Sequence, residues 1–374
     1  MTSQVEIIGS GSAEKLSLFI EKYEVKHLFI VRGKNAYHTS GAKNAIDRII
    51  LKHSLLFTEF SDFSINPKIE DVEKGLALLR NAQSEMIVAI GGGSVIDMAK
   101  LIRFFYAYEG SIDKNTYKLT RKHIPLVALP TTAGTGSEAT HFAVVYQHQI
   151  KYSVAHLAIL PEVAIVDASF TYQTPPYLTA CAGFDALAQA IESYWNVFST
   201  SESKEFAVQA IDLLWEHLPK AVLRNTLESR DFVSRASFYA GKSINITKTT
   251  APHAFSYPFT TYYNFPHGHA VALTFPFFMQ FNYVENEKQW NGTQELHIHH
   301  QKMDNLYQRL GFKNPTDASL GMRKFIQHIG LSFQLPNSFD ADVIARNVNA
   351  ARVANNPAKI FPQDIIQVIN SIQE

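Results

Sequence analysis

The stretch MIVAIGGGSVIDMAK, residues 86–100, combines an apolar strand, a glycine turn and the start of a helix. Gly91, Gly92 and Gly93 let backbone amides approach a ligand closely, and a helix beginning at Ser94 directs its free N–H groups to the same place. The stretch therefore predicts a cradle for a diphosphate. The alternative is a plain tight turn between a strand and a helix. The spacing matches neither G-x-G-x-x-G nor a Walker loop.

The segments around this stretch alternate between strand-like and helix-like patterns. Further apolar runs predict strands at 27–31, 55–60, 125–130 and 163–167, with an amphipathic helix at 68–82 and a hairpin that turns near 147–150. Helical patterns then follow near 203–222, 231–250, 268–282, 300–310, 317–329, 340–353 and 363–373. We expect an α/β domain with a parallel Rossmann-like sheet at 1–167 and an all-α domain at 168–374.

Composition narrows the class of protein. The chain has 374 residues, and its 34 Lys and Arg balance 34 Asp and Glu, which argues against nucleic acid or a membrane as partner. Cys181 is its single cysteine, so no disulfide within the chain is possible and a reducing, cytoplasmic location is expected. No signal peptide is predicted from the N-terminal residues. We expect Cys181 to be a small buried residue and not a nucleophile.

A second loop, PTTAGTGSEAT at 130–140, follows another buried strand and is rich in small and hydroxyl residues. It suits close packing against a cofactor, with Thr131 and Thr132 beside the nicotinamide, although alone it also fits an ordinary loop. Ligands of open α/β sheets bind at the carboxyl ends of the strands, where both loops lie.

The segment FIVRGKN at 29–35 bears on cofactor choice. NAD-binding folds usually carry an acid after a strand at this point, which holds the ribose 2′-hydroxyl. Here Gly33 stands between Arg32 and Lys34. Since a glycine with flanking cations admits a 2′-phosphate that an acid would repel, we predict NADP(H) in preference to NAD(H).

The back half contains a candidate metal constellation. Asp185 and Gln189 are four residues apart on a predicted helix, hence on one face, and a proline-containing loop is expected between His253 and His267. A carboxylate and two imidazoles can hold Fe²⁺ or Zn²⁺ with an open position. The alternative is a chance cluster among 15 histidines, like HIHH at 297–300, which we expect at a solvated surface.

Several motifs together resemble the iron-containing (group III) alcohol dehydrogenases over nearly the whole chain. They are GGGSVIDMAK, PTTAGTGSE, AIVD, GFDALAQAIESY and a H-x13-H-G pattern that starts at His253. Within that family the chain is most similar to phosphonoacetaldehyde reductases (hydroxyethylphosphonate dehydrogenases), through TKTTAPHAFSYPFT and PHGHAVAL. The resemblance implies a dehydroquinate synthase-like architecture with a cleft between the domains, and a homodimer.

The resemblance also implies residue roles. It implies a divalent metal held by one Asp and three His, which fall on Asp185, His253 and His267, with Gln189 in place of the third histidine. An amide oxygen is a weaker, harder ligand than imidazole. Tyr257 stands where many relatives have another histidine beside the substrate. By the same matching of motifs, Asp97, Thr135 and Ser137 are candidate cofactor contacts. Lys151 falls where the family contacts the nicotinamide ribose.

The implied reaction is NAD(P)H-dependent reduction of an aldehyde to a primary alcohol, in phosphonate metabolism if the substrate is phosphonoacetaldehyde. Tyr257 would relay a proton or simply line the pocket. Lys248 would balance the phosphonate charge, with Thr249, Thr250 and more distant Arg103 as further candidates, although Lys248 fits a solvated surface lysine equally well. The alternatives are another small aldehyde or sugar-derived carbonyl, a dehydroquinate synthase-like lyase, and a metal-free nucleotide-binding protein. His269 is expected to be structural or to contact the ligands or substrate.

Overall fold

The computed structural model describes residues 4–112, 116–148, 150–348 and 350–373. The chain divides into two compact units between Thr174 and Pro175, close to the boundary expected after residue 167. Within the described ranges, no helix is long and apolar enough to cross a membrane.

The first unit alternates strands and helices. Its strands are β1 (Val5–Ile8), β2 (His27–Arg32), β3 (Leu56–Phe60), β4 (Met86–Gly91), β5 (Tyr108–Ser111), β6 (Thr116–Leu119), β7 (Leu126–Pro130), β8 (Phe142–Gln147), β9 (Ile150–Ala155) and β10 (Val163–Val166). Its α-helices are α1 (Leu16–Lys22), α2 (Ala36–Thr39), α3 (Ala42–His53), α4 (Ile69–Ala82) and α5 (Gly93–Ala107). Short 3₁₀ helices span Ser12–Lys15, Ser137–Ala139, Leu157–Ile159 and Ala168–Thr171.

Six strands form one parallel sheet in the order β1-β10-β7-β4-β2-β3, which confirms the predicted fold class. The chain adds β3 on one side of β2 and then β4, β7 and β10 on the other. The order therefore reverses between β2 and β4, and such switch points hold ligands in open α/β sheets. The backbone N–H of Gly33 donates to the carbonyl of Ile90 at 3.1 Å and joins the two strand ends there.

Both faces of this sheet are covered, which explains the continuous apolar runs in the sequence. Along β2, Phe29 and Val31 face the cluster that includes residues of α4 and α5, whereas Leu28 and Ile30 face the one that includes residues of α1 and α3. The predicted hairpin is β8–β9, which turns between Gln147 and Ile150. Strand β1 and the hairpin β5–β6 were not predicted.

The second unit is helical in its described residues. Its helices are α6 (Pro176–Trp195), α7 (Ser201–Leu223), α8 (Leu227–Thr247), α9 (Ala251–Tyr263), α10 (His267–Phe281), α11 (Leu296–Leu310), α12 (Pro315–His328), α13 (Ala341–Arg346), α14 (Ala350–Val353) and α15 (Pro362–Asn370).

Two expectations for this unit are wrong. The segment after His253 forms helix α9 and not a loop, because burial of Phe255 and Phe259 outweighs the interruption by Pro258. The HIHH stretch is not all solvated, since it lies on the partly buried helix α11. His299 is 2% exposed and donates through Nε2 to the carbonyl of Asn282 at 2.7 Å.

Candidate functional site

Helix α6 presents a row of polar groups inside the second unit. Prolines begin the helix at 175 and 176, and alanines let it pack closely on its neighbours. Asp185, Gln189 and Glu192 follow at four- and three-residue spacing on one face, and each is at most 4% exposed. Buried polar side chains on one face require partners, which α9 and α10 supply.

Helices α9 and α10 carry the two histidines to this face. His253 lies in the first turn of α9 and His267 begins α10. A Cβ atom at Gly268 would lie 1.9 Å from the carbonyl oxygen of Cys181 and 3.0 Å from Cβ of Asp185. Only a glycine permits this approach, so the His-Gly pair of the motif sets the start of α10 directly against α6.

Asp185, His253 and His267 form one cluster. Oδ1 of Asp185 lies 3.1 Å from Nε2 of His253 and 3.8 Å from Nε2 of His267, and one ligand atom from each residue lies within 4.8 Å of the others. Ligand atoms about 2.1 Å from one tetrahedral ion are roughly 3.4 Å apart. The His267 side chain is 36% exposed while the other two are 4%, so the cluster opens on the His267 side.

Charge interactions dominate this cluster. Burial alone would raise the pKa of Asp185, but the His267 charge and hydrogen bonds from His253 and Gln189 lower it. Burial alone would lower the pKa of His253, yet the carboxylates of Glu192 and Asp185 raise it to about 10. The site therefore strongly favours positive charge at its centre, as a cation-binding site must.

Gln189 completes the cluster on α6. Its Nε2 donates to Oδ2 of Asp185 at 3.2 Å, and its Oε1 is buried with no hydrogen-bond partner among the described residues. A buried amide oxygen without a partner is unfavourable unless a ligand satisfies it. The donor set of two oxygens and two imidazole nitrogens therefore fits a divalent cation.

The other candidate substrate residues are in different surroundings. The half-buried Tyr257 ring lies parallel to that of His267, with centroids 6.0 Å apart. Lys248 is exposed at the end of α8. Thr250 is buried and its hydroxyl donates to Glu192, so it is no substrate donor here. The prediction that Arg103 contacts the substrate is also wrong, because its guanidinium is buried against Glu162 and backbone carbonyls.

The two remaining predictions about this region agree with the structure. Cys181 is 5% exposed, and burial raises the pKa of its thiol to about 11, which leaves it inert. His269 is structural, since Nδ1 pairs with the hydroxyl of Tyr177 at 2.9 Å and Nε2 donates to the carbonyl of Ser332 at 2.7 Å.

In the first unit, the glycine turn and the 130–140 loop are in contact. A Cβ atom at Gly92 would lie 3.2 Å from Oγ1 of Thr132, and one at Gly93 would lie 2.6 Å from Oγ1 of Thr135. Gly92 is the N-cap residue of α5 and makes no side-chain hydrogen bond there. The free N–H groups of the first helical turn can therefore donate to another acceptor. A phosphate group suits that position at the switch point.

A buried network holds the two loops together, and its centre was not predicted. The fully buried Nζ of Lys100 donates to Oγ of Ser137 at 3.0 Å, to Oγ1 of Thr140 at 2.9 Å and to the carbonyl of Phe142 at 2.9 Å. Burial lowers the pKa of Lys100 to about 8. Asp97 accepts from the hydroxyl of Ser137 and, at 2.9 Å, from the N–H of Val144.

Three other predicted cofactor residues lie on different elements of the first unit. Thr131 follows β7, and its N–H donates to the carbonyl of Gly91 at 3.0 Å. Ser94 lies in the first turn of α5, where its hydroxyl accepts from the N–H of Asn66 at 3.3 Å. Lys151 lies in β9, where it pairs with Tyr146 of β8.

The two cations next to Gly33 are paired with carboxylates that the sequence segment alone does not show. Arg32 pairs with Glu59 of β3 at 2.8 Å, and Lys34 pairs with Asp62 at 3.3 Å. Gly33 has open space, since the nearest atom to an added Cβ is Cγ2 of Val95 at 3.7 Å.

Comparison with known proteins agrees with this geometry. The family model described as iron-containing alcohol dehydrogenase matches residues 4–168, and that of the C-terminal part of the Fe-containing alcohol dehydrogenase family matches residues 179–373. The chain belongs to the iron-containing alcohol dehydrogenase family. It is therefore an NAD(P)-dependent alcohol dehydrogenase with a metal site at Asp185, His253 and His267.

Relatives of this dehydrogenase include both curated proteins and solved structures. It is 30% identical to long-chain-alcohol dehydrogenase 1 of Geobacillus thermodenitrificans, over 73% of this chain and 70% of that protein. It is 32% identical to the probable alcohol dehydrogenase EutG of Escherichia coli, over 74% and 71%. The sulfoacetaldehyde reductase of Bifidobacterium kashiwanohense, solved with NAD⁺, superposes with a TM-score of 0.86 at 27% identity, over 100% and 97%.

Proposed function

We propose that this alcohol dehydrogenase uses NADPH to reduce a small anionic aldehyde to its primary alcohol, with a divalent metal held by Asp185, Gln189, His253 and His267. The observation that carries the proposal is the cluster of these side chains, in which the buried amide oxygen of Gln189 has no partner among the described residues. Fe²⁺ and Zn²⁺ both suit an oxygen and imidazole donor set.

The residues of the cluster have distinct tasks. When bound, the cation would polarise the aldehyde oxygen as a Lewis acid, and the reduced nicotinamide would supply the hydride. Asp185 supplies negative charge, and the exposed side of His267 leaves room for a small substrate. Tyr257, whose ring lies parallel to that of His267, donates a proton from its hydroxyl to the product alkoxide, directly or through water.

Phosphonoacetaldehyde is the proposed substrate. The similar sulfoacetaldehyde reductase acts, by its name, on a two-carbon aldehyde with an anionic head group, and a phosphonate differs from a sulfonate mainly in charge. Lys248 supports an anionic substrate. It has φ 64 and ψ 179, a conformation that is essentially restricted to glycine, and such strain is concentrated at functional sites.

NADPH is the proposed cofactor. Gly33, directly after β2, leaves space and itself brings no acid, and the cations Arg32 and Lys34, which pair with Glu59 and Asp62, flank it. Asp97, Thr131, Thr132, Thr135, Ser137 and Lys151 remain proposed cofactor contacts, with the diphosphate at Gly91–Ser94. We also propose a homodimer, which light scattering on the purified protein tests.

A panel of aldehydes tests the proposed function. Purified protein, with and without added Fe²⁺ or Zn²⁺, is offered phosphonoacetaldehyde, sulfoacetaldehyde, propanal and glyceraldehyde with NADPH or NADH. We expect the largest kcat/KM with phosphonoacetaldehyde and NADPH. Preference for propanal or glyceraldehyde would refute the anionic substrate. Absence of any NAD(P)H consumption would refute the reductase and favour a lyase that uses the nucleotide transiently.

Replacement of the strained lysine tests the charge assignment. Lys248→Ala should raise KM for phosphonoacetaldehyde much more than KM for propanal, because only the phosphonate loses a charge interaction. Lys220→Ala, which removes a surface lysine of α7 paired with Glu216, is the matched control and should change neither KM. Equal increases for both aldehydes in Lys248→Ala would show that Lys248 does not bind the phosphonate.

A further inference from the structure

Beyond the four proposed ligands, the same face of α6 carries a carboxylate to which no role has been assigned. Glu192 follows Gln189 by three residues and has 0% exposure. An ionised carboxylate is buried at large cost unless its oxygens are fully hydrogen-bonded. The partners of its two oxygens therefore indicate what the side chain does.

One carboxylate oxygen contacts the metal-site histidine. Oε2 of Glu192 is hydrogen-bonded to Nδ1 of His253, while Nε2 of that ring faces Asp185. A carboxylate on Nδ1 keeps that nitrogen protonated and leaves Nε2 to bind the metal. The ring of His253 is thus held between two carboxylates of α6 at both of its nitrogens.

The other oxygen holds the start of α9. Oε1 of Glu192 accepts from the N–H of Thr250 at 3.0 Å, from its hydroxyl at 2.9 Å and from the N–H of His253 at 3.3 Å. Thr250 is the N-cap residue but makes no capping hydrogen bond with its own side chain. The carboxylate of another helix therefore takes the capping place, where negative charge is favoured.

A tryptophan of α6 also contacts the start of α9. Nε1 of Trp195, one turn after Glu192 on α6, donates to the hydroxyl of Thr250 at 3.0 Å. Glu192 is thus joined to both the backbone and the side chain of the segment that presents His253. Movement of this carboxylate would change the distance between His253 and Asp185.

We infer that Glu192 is a positioning residue for the metal centre: it holds the orientation of the His253 ring and anchors the start of α9 to the helix that carries Asp185. The inference rests on the proposed function, because it presupposes that the cluster binds a divalent metal. Loss of such a partner typically lowers metal affinity by about 10- to 100-fold.

The test measures metal affinity directly. Apo-protein is titrated with Zn²⁺ in competition with a chromophoric chelator, and the visible spectrum of the Co²⁺-loaded protein is recorded. Glu192→Gln should weaken Zn²⁺ binding by about 10- to 100-fold and alter the Co²⁺ spectrum. Glu202→Gln is the control, since it makes the same change at an exposed carboxylate in the first turn of α7. It should keep both the Zn²⁺ affinity and the Co²⁺ spectrum of the wild-type protein.

The outcomes separate this inference from the proposed function. Wild-type affinity and spectrum in Glu192→Gln, with only a lower melting temperature, would overturn the inference and leave the metal site intact. Failure of the wild-type protein to bind Zn²⁺ or Co²⁺ would overturn the metal site itself. If Glu192→Gln does not fold, Glu192→Asp, whose carboxylate is one methylene further from His253, is judged by the same criteria.

Discussion

The side-chain amide of Gln189 donates to Oδ2 of Asp185 at 3.2 Å, and its own oxygen has no partner among the described residues. One proposed ligand, Gln189, is thus oriented by Asp185 on the same helix. The amide oxygen is directed by its bonded nitrogen and is available to a cation. An amide in place of imidazole makes the donor set harder and weaker.

We expect substitutions of Gln189 to change metal affinity in both directions. Gln189→Ala removes an oxygen ligand and should lower Zn²⁺ affinity about tenfold or more, which corresponds to about 1.4 kcal/mol. Gln189→His supplies imidazole and should raise Zn²⁺ affinity. Chelator competition on apo-protein measures both. Gln280→Ala, an exposed position of α10, is the control, and equal affinities in all four proteins would exclude Gln189 as a ligand.

The cofactor preference should depend on Gly33. An added Cβ meets no atom closer than 3.7 Å, so Gly33→Asp should fold normally. Its carboxylate would repel a 2′-phosphate and accept from a ribose hydroxyl. We expect kcat/KM with NADPH to fall at least about tenfold, the effect of about 1.4 kcal/mol, while kcat/KM with NADH is kept or rises. Gly33→Ala is the matched control, and the same loss in both variants would indicate steric and not charge exclusion.

The contact between α10 and α6 should tolerate no side chain at position 268. In Gly268→Ala the new Cβ would meet the carbonyl of Cys181, so α10 must move away from Asp185. We expect a loss of about 1–3 kcal/mol in unfolding free energy and weaker Zn²⁺ binding. Tryptophan fluorescence during urea unfolding reports on this unit, since Trp195, Trp215 and Trp290 all lie in it.

Ala272→Gly, further along α10, is the control for that prediction. It lowers helix stability by about 1 kcal/mol without pushing the helices apart. Its Zn²⁺ affinity should therefore equal that of the wild-type protein. If Gly268→Ala binds Zn²⁺ as tightly as the control, the close approach of α10 is not needed for the metal centre.

The stability of the first unit should fall with rising pH because of Glu138. Burial raises the pKa of this carboxyl from 4.5 to about 7. Between these values the folded form holds a proton that the unfolded form has released, so stability decreases as pH rises through that window. Since each pH unit contributes about 1.4 kcal/mol, the total over this window is at most roughly 3 to 4 kcal/mol.

Glu138→Gln removes this titration and should show no such loss from pH 4.5 to 7. Hydrogen exchange of the β7 amides measures the opening free energy of the first unit at each pH. Glu73→Gln, on the exposed side of α4, should follow the wild-type curve. Parallel curves for wild type and Glu138→Gln would mean that Glu138 stays ionised in the folded protein.

The sheet was predictable because its central strands are buried on both faces and read as uninterrupted apolar runs. Strand β1 could not be predicted because Val5 and Glu6 are exposed, so its short apolar pattern is not distinctive. The sequence does not predict helix α9, because Pro258 breaks the local helical pattern and the burial of Phe255 that overrides it depends on tertiary packing.

The site was predictable only in part for a similar reason. Asp185 and Gln189 share a helix face, and the two histidines belong to a motif, so sequence spacing finds them. The bond of Glu192 to His253 spans 61 residues, and that of Lys100 to Thr140 spans 40. Contacts between residues so far apart produce no periodic pattern in the sequence. From the sequence alone, Glu192 and Lys100 therefore resemble ordinary charged surface residues.

The most direct test of the metal-dependent reductase is an anaerobic titration of apo-protein with Fe²⁺, in which bound metal and the rate of NADPH oxidation with phosphonoacetaldehyde are measured together. We expect the rate to rise in proportion to bound metal and to level off at about one ion per chain, the capacity of a single cluster. Asp185→Asn should show neither binding nor rate. Full activity of the metal-free protein, or undiminished binding by Asp185→Asn, would contradict the account.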